Sequence, residues 1–202
     1  MAIKKIGIDL DGVVADFYKG YTKLATQKFG NHVEVLCSIK HRERFSTWKL
    51  EKIMNLEKFQ AEEMIESINN FPMFYETLEL LYPESWQKLI SEFSNREDYE
   101  ITFITSRKNS ESVSVREVTK RWLQIQGWQN PSVVVTDEKG LFCKVLGIQK
   151  FVDDSLKNCL DVHTHCQEAC EVFILDYPHN RDHQIPDSIK RIHTLEDFIK
   201  EL

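Results

Sequence analysis

No apolar run in these 202 residues approaches the length of a membrane span, so no membrane-spanning helix is expected. The amino terminus, MAIKKIGIDLDG, lacks a signal-peptide layout because acidic residues arrive too early, and a cytoplasmic protein is the expectation. Excess positive charge is also missing. The formal net charge is −6, which disfavours extended nucleic-acid binding, although a local pocket for one phosphate stays open. The five cysteines are an odd number with no framework spacing and no C-x-x-C pair. Free thiols in a reducing compartment are expected, not a disulfide scaffold. Gly/Ser-rich linkers, internal repeats and low-complexity tracts are absent too. What remains is ordinary globular composition, 42% hydrophobic and 29% charged, at a length suiting one core domain with at most a modest insertion.

The most informative stretch is KKIGIDLDGVVADF, residues 4–17. Residues 6–8 form a short apolar run, which predicts a strand buried on both faces of a parallel sheet. It ends in Asp9, Leu10, Asp11 and Gly12. Paired carboxylates at such a strand end lie where open α/β sheets place their ligands, although Asp is equally at home in a solvated loop or helix cap.

Phe17, Tyr21, Leu24, Ala25 and Phe29 then recur at helical spacing, and Gly30 is placed to end that helix. Residues 31–47 are poorly periodic and carry the basic patch His41-Arg42-Glu43-Arg44. Trp48 opens a second helical tract. Phe59, Met64, Ile65 and Ile68 predict another helix, stopped at Asn69-Asn70. Residues 18–75 therefore read as a helical insertion without a buried strand. From residue 83 strand and helix alternate. Pro83 opens a helix with Trp86, Leu89, Ile90 and Phe93 on one face. Strands follow at 99–104, 132–136, 151–152 and 172–175. Helices are expected at 115–125, with Val115, Val118, Trp122 and Ile125 inward, and at 140–146. Thr194 with Asp197 resembles a capping box for a terminal helix. The alternation argues for a parallel sheet with helices on both faces.

Polar signals fall immediately after four of these strands. Asp9 and Asp11 follow the first, Thr105, Ser106 and Arg107 the second, Thr136 to Lys139 the third, and Asp153 and Asp154 the fourth. Parallel strands bring these groups to one edge. Carboxylates meeting there repel unless a cation or raised pKa values relieve them, and a hard divalent cation, magnesium, suits oxygen ligands. A hydroxyl and a lysine beside it suit a phosphoryl group.

The order D-x-D-G, hydrophobic-Thr, Lys, Asp-Asp resembles the haloacid-dehalogenase superfamily of phosphohydrolases. Within it the chain looks most like the 5′(3′)-deoxyribonucleotidases, on DLDGVVADF, RERFSTW, NFPMFYETLEL, FITSR and FVDDS. The resemblance implies a Rossmann-like core over residues 1–17 and 76–202, with first and fourth strands adjacent, and a cap at 18–75. It implies Asp9 as the nucleophile forming a phosphoaspartyl intermediate, Asp11 as general acid and base, and Thr105 as a phosphoryl contact. Magnesium is expected on Asp9, the Asp11 carbonyl and Asp154, with Asp153 beside them. Lys139, opening its helix, is the expected phosphate lysine, with Lys144 the alternative. Phe17 and Phe45, Ser46, Thr47 and Trp48 match positions enclosing the base, and Ser106 and Arg107 complete the substrate set. Arg107 stands where the family has proline. The implied substrate is a small phosphomonoester, a nucleoside monophosphate in this resemblance. A polynucleotide-end phosphatase and a catalytically silent binding protein on the same scaffold are the rivals. Cys159, His163, His165, Cys166 and Cys170 suggest zinc, but a surface helix with buried thiols is the better reading.

Overall fold

The computed structural model describes residues 3–30, 34–36, 39–45, 47, 50–108 and 113–202. Six strands form one parallel sheet: β1 (Lys4–Ile8), β2 (Tyr99–Thr105), β3 (Ser132–Val135), β4 (Lys150–Asp153), β5 (Glu171–Leu175) and β6 (Ile189–Ile192). Their spatial order is β3-β2-β1-β4-β5-β6, so β1 is central and touches both β2 and β4. Ile8 aligns with Phe103 on one side and Val152 on the other. This register brings the residues after β1, β2 and β4 to the same edge.

Alternate residues along the strands face opposite layers, as the pleat requires. Phe103, Val152 and Phe173 join a core with Trp86, Trp122, Trp128 and Phe198. Ile104, Phe151, Val172 and Ile174 join a second core with Cys143, Cys159 and Val162. Helices α4 (Pro83–Phe93), α5 (Val115–Ile125) and α9 (Leu195–Lys200) belong with the first layer. Helices α6 (Lys139–Leu146) and α7 (Leu156–Cys166) belong with the second. The terminal capping box forms as expected: Thr194 Oγ1 accepts from the Asp197 amide at 3.2 Å, and Asp197 Oδ2 accepts from the Thr194 amide at 2.9 Å.

Between β1 and α4 the chain holds α1 (Phe17–Phe29), α2 (Leu50–Ile53) and α3 (Lys58–Asn70), with no strand among the described residues. Asp16 caps α1 by accepting from the Lys19 amide at 3.0 Å. The outgoing and returning chains pair with each other: the Asp16 amide donates to Glu79 O at 2.9 Å and the Leu81 amide to Val14 O at 2.7 Å.

Three details differ from the sequence reading. Strand β6, IKRI, was not expected; it is an edge strand with one neighbour, and its charged residues hide the apolar signal. In α3 only Ala61, Met64 and Ile68 are buried, while Phe59 and Ile65 point to solvent. Ile125 is likewise exposed at the end of α5.

Candidate active site

Strand β1 delivers Asp9 into the interior and then turns sharply. Leu10 O accepts from the amides of Val13, Val14 and Ala15, and Gly12 takes φ +88, the left-handed region natural to glycine. The turn leaves Asp11 half-buried and Asp9 buried.

Lys139 opens α6, and its stem is enclosed by the second core. Its ammonium lies 2.5 Å from Asp9 Oδ1 and 2.7 Å from Asp153 Oδ2. Lys144, one turn later, is exposed. Asp153 is held from behind by α7: its Oδ1 accepts from the Ser155 amide at 2.8 Å, and Asn158 Nδ2 lies 3.1 Å from Oδ2. Asp154 is buried, and its Oδ2 has no hydrogen-bond partner among the described residues. Its backbone carbonyl accepts from Asn180 Nδ2 at 2.9 Å. Thr105, at the end of β2, buries a hydroxyl that is equally unpartnered.

Asp9, Asp153 and Asp154 offer carboxylate oxygens within 4.8 Å of one another, the one such ligand group among the described residues. Burial, and then the charge of Asp153, pushes the Asp9 carboxyl up to about 7 despite Lys139. Asp154 is driven well above the usual carboxylate range by burial and by Asp153 and Asp9. Burial alone would lower Lys139, but Asp153 and Asp9 outweigh it and hold the ammonium charged. Among the described residues, Asp9, Asp11, Asp153 and Asp154 thus meet only Lys139 and Arg107 as cationic partners. The two formal negative charges left over, with an orphaned buried oxygen on Asp154, fit one hard divalent cation.

Arg107, expected among the substrate contacts, borders the cavity with its side chain turned onto Asp11. Its Nε and Nη2 grip Asp11 at 2.9 and 2.7 Å, and Nη1 reaches Thr119 Oγ1 at 3.1 Å. Ser106 Oγ donates to Thr136 O at 3.1 Å. A cavity of about 820 Å³ opens from Asp9, Asp11 and Thr105, with Phe17 and Tyr75 in its wall and Lys157, His179 and His183 around it. Phe17 therefore lies in the cavity wall. Phe45, expected beside the base, does not: it is fully buried, its ring centroid 4.3 Å from that of Tyr18. Thr47 is half-buried and is not part of the cavity wall. Ser46 and Trp48 lie outside the described residues.

Other signals resolve too. The stretch Tyr177 to Arg181 follows β5 and reaches the cavity edge. It folds as α8 (Pro178–Arg181), and its His179 rings the cavity while contacting Asp154 O at 3.3 Å and Phe45 O at 3.2 Å. In the basic patch, Arg42 binds the Tyr82 hydroxyl and donates to His193 O at 3.0 Å, outside the cavity wall. Cys159, Cys166 and Cys170 are buried free thiols. Sequence reading missed Asn158, Tyr75 and Asn180 as site residues; Tyr75 lies inside the NFPMFYETLEL stretch, and the Asn at the third position after Asp-Asp-Ser is the only faint sign of Asn158.

A family model described as "5′ nucleotidase, deoxy (Pyrimidine), cytosolic type C protein" matches residues 2–200. No curated protein matches the chain. Among solved structures, a protein from Burkholderia xenovorans LB400 assigned as a haloacid dehalogenase-like hydrolase superposes with a TM-score of 0.56 at 12% identity, covering 99% of this chain and 96% of that one. One from Haemophilus somnus 129PT, assigned by prediction as a phosphoglycolate phosphatase, gives 0.52 at 17% identity, covering 100% and 98%. A magnesium-bound hydrolase assigned to the same superfamily, from Bacillus subtilis, gives 0.56 at 11% identity, covering 100% and 99%. At these identities the likeness concerns the fold.

Proposed function

The chain belongs to the 5′ nucleotidase, deoxy (pyrimidine), cytosolic type C protein family, and from that premise we propose that it hydrolyses nucleoside monophosphates through a phosphoaspartyl intermediate with magnesium as cofactor. It is a haloacid-dehalogenase-type phosphatase; the finer statements rest on the site. The carrying observation is Asp9 held by Lys139 at 2.5 Å at the floor of a cavity that also presents the unpartnered hydroxyl of Thr105.

In this reading an oxygen of Asp9 attacks phosphorus, the bond to the ester oxygen breaks, and Asp11 gives that oxygen a proton. Water then attacks the acyl phosphate, Asp11 takes its proton, and phosphate departs as Asp9 is restored. Thr105 and Lys139 donate to phosphoryl oxygens, a role for which their positions at the strand edge prepare them. Asp9, Asp154 and the Asp11 carbonyl would hold magnesium, with Asp153 beside them. When bound, the cation supplies positive charge that lets an anionic nucleophile meet an anionic phosphate. Residues 18–75 act as the cap over the leaving group, and Phe17 offers a ring face to the base. The partner is a small molecule: no helix among the described residues is long and apolar enough to cross a membrane. The family's cytosolic designation supports a cytoplasmic location.

The test is phosphate release from nucleoside monophosphates, sugar phosphates and p-nitrophenyl phosphate, with magnesium or with chelator. Nucleotides are expected to have the highest kcat/KM, and Asp9→Asn to lose turnover of all of them, because an amide cannot attack phosphorus. Substantial activity in Asp9→Asn, or full activity in chelator, defeats the mechanism. Equal rates for sugar phosphates defeat the nucleotide assignment.

A further inference from the structure

Arg107 turns its guanidinium onto the protein itself, with bonds to Asp11 and Thr119. A guanidinium has five N–H donors in a rigid fork. Here Nε and Nη2 go to the two oxygens of Asp11, and Nη1 goes to Thr119. One face of the guanidinium lies 4.3 Å from the ring centroid of Tyr75, and the Trp122 ring lies 5.6 Å away. The side chain has no solvent exposure, while that of Asp11 retains 22%. Three of the five donors are thus taken by protein, and although the residue borders the cavity, its side chain has no open surface to offer a phosphoryl group. Asp11 differs: its two oxygens carry about four lone-pair sites, and Arg107 engages one on each. The others remain available at the cavity, where Asp11 forms part of the wall.

We propose that Arg107 is a positioning residue that fixes the carboxyl plane of Asp11 for proton transfer to the leaving oxygen, and is not a substrate contact. The inference rests on the phosphatase reading above. A buried two-toothed pair with a third tether is rigid, because neither partner swings without exposing a desolvated charge. Proton donation demands such placement, since a donor must lie within hydrogen-bond reach of the departing oxygen. In the step concerned, the Asp9 oxygen–phosphorus bond forms, the phosphorus–ester oxygen bond breaks, and the proton moves from Asp11 to that oxygen. Tyr75 comes from the 3-10 turn Pro72–Thr77 that closes the inserted segment, so the same guanidinium ties Asp11 to the insertion.

The leaving group distinguishes the roles. A nucleoside departs as an alkoxide and needs the proton; nitrophenolate departs without it. Because kcat/KM reports the steps through loss of the first product, Arg107→Met is expected to lower it about 30-fold or more for a nucleoside 5′-monophosphate and less than about threefold for p-nitrophenyl phosphate. Inhibition by inorganic phosphate should change by less than about twofold, since ground-state binding does not use Arg107. Arg107→Lys keeps the charge but loses the fork, and is expected to behave like Arg107→Met. In an Asp11→Asn background, Arg107→Met should add no further leaving-group dependence. If Arg107→Met fails to fold, the near-isosteric Thr119→Val removes only the third tether, and should cost about threefold on the nucleotide and nothing on the aryl ester. Equal losses on both esters, weakened phosphate inhibition in step with them, or full rescue by lysine overturns the proposal while leaving the phosphatase reading intact. A wild-type protein inactive on both esters with magnesium overturns that reading and the proposal together.

Discussion

Gly12 lies directly against Asp154: a Cβ built on Gly12 falls inside the van der Waals shell of Asp154 Oδ2. The left-handed backbone at Gly12, φ +88, reinforces the requirement. A methyl group there must displace a buried carboxylate whose neighbours are the Asp9–Lys139–Asp153 network. Gly12→Ala is therefore expected to cost about 100-fold or more in kcat, a transition-state loss near 3 kcal/mol. It should also remove the rise in Tm that magnesium gives the wild type. Steady-state assays and melting curves with and without the cation check both. Retained magnesium stabilisation would mean that Asp154 is not where the ion binds.

Lys139 and Lys144 provide a control within one helix. Lys139 neutralises Asp9 and Asp153 in a dry setting, and Lys144 faces solvent. Removing one partner of a buried ion pair typically costs about 3–5 kcal/mol, whereas an exposed charge contributes well under about 1 kcal/mol. Lys139→Ala is expected to abolish measurable turnover and lower Tm in the absence of magnesium. Lys144→Ala should alter neither beyond about twofold. The reverse ranking would move the phosphate lysine to Lys144.

Much of this site could be read from the sequence, because its parts lie at strand ends and a parallel sheet gathers strand ends. Asp9, Thr105, Lys139 and Asp153 each follow a recognisable apolar run or open a recognisable helix. The pair between Arg107 and Asp11 could not be read in the same way: the partners are 96 residues apart, and nothing local to either names the other. Phe45 and Phe17 show another limit. Both are aromatics in stretches that carry the family resemblance, and spacing does not distinguish a ring packed in the core from one facing a cavity. Strand β6 was hidden because an edge strand of four residues can carry two cations, Lys190 exposed and Arg191 half-buried against Asp176 and Asn180. Phe59, Ile65 and Ile125 gave the opposite error, since helical periodicity counts apolar residues without knowing how wide a stripe the neighbouring layer covers.

The carboxyls make stability depend on pH in a definite direction. In the cation-free protein Asp9 is raised from its ordinary 3.8 to about 7, with Asp154 raised as well. Between those values the folded state holds more protons than the unfolded chain, so stability falls as pH rises. For Asp9 the penalty is absent below about 4 and complete above about 7, Asp154 acts in the same direction, and Lys139 stays charged across this window. Magnesium held by these carboxylates would compete with the protons for the same oxygens. The chelated protein is therefore expected to melt lower at pH 8 than at pH 5.5 through these groups, and magnesium should raise Tm more at pH 8. Asp154→Asn should flatten the difference. Equal magnesium effects at both pH values would place the ion away from these carboxyls.

The two aromatics give the last prediction. Phe45 is sealed beneath Tyr18, and its carbonyl accepts from the His179 amide at 3.1 Å, which links the inserted segment to the residues after β5. Truncating such a ring leaves a cavity that surrounding helices fill incompletely, at a cost of about 3–5 kcal/mol. Phe45→Ala should thus lower Tm strongly, and any loss of activity should fall equally on every ester. Phe17 is half-buried, packed edge-on against Phe74 at 5.9 Å and forming part of the cavity wall. A base stacked on its face would gain roughly 1–3 kcal/mol by analogy with single-strand binders. Phe17→Ala should therefore reduce kcat/KM for nucleoside monophosphates by about tenfold, change p-nitrophenyl phosphate turnover by less than about twofold, and leave most of the Tm intact. If Phe17→Ala instead lowers Tm and depresses both esters alike, its ring is core as well, and base selectivity must come from elsewhere in the insertion.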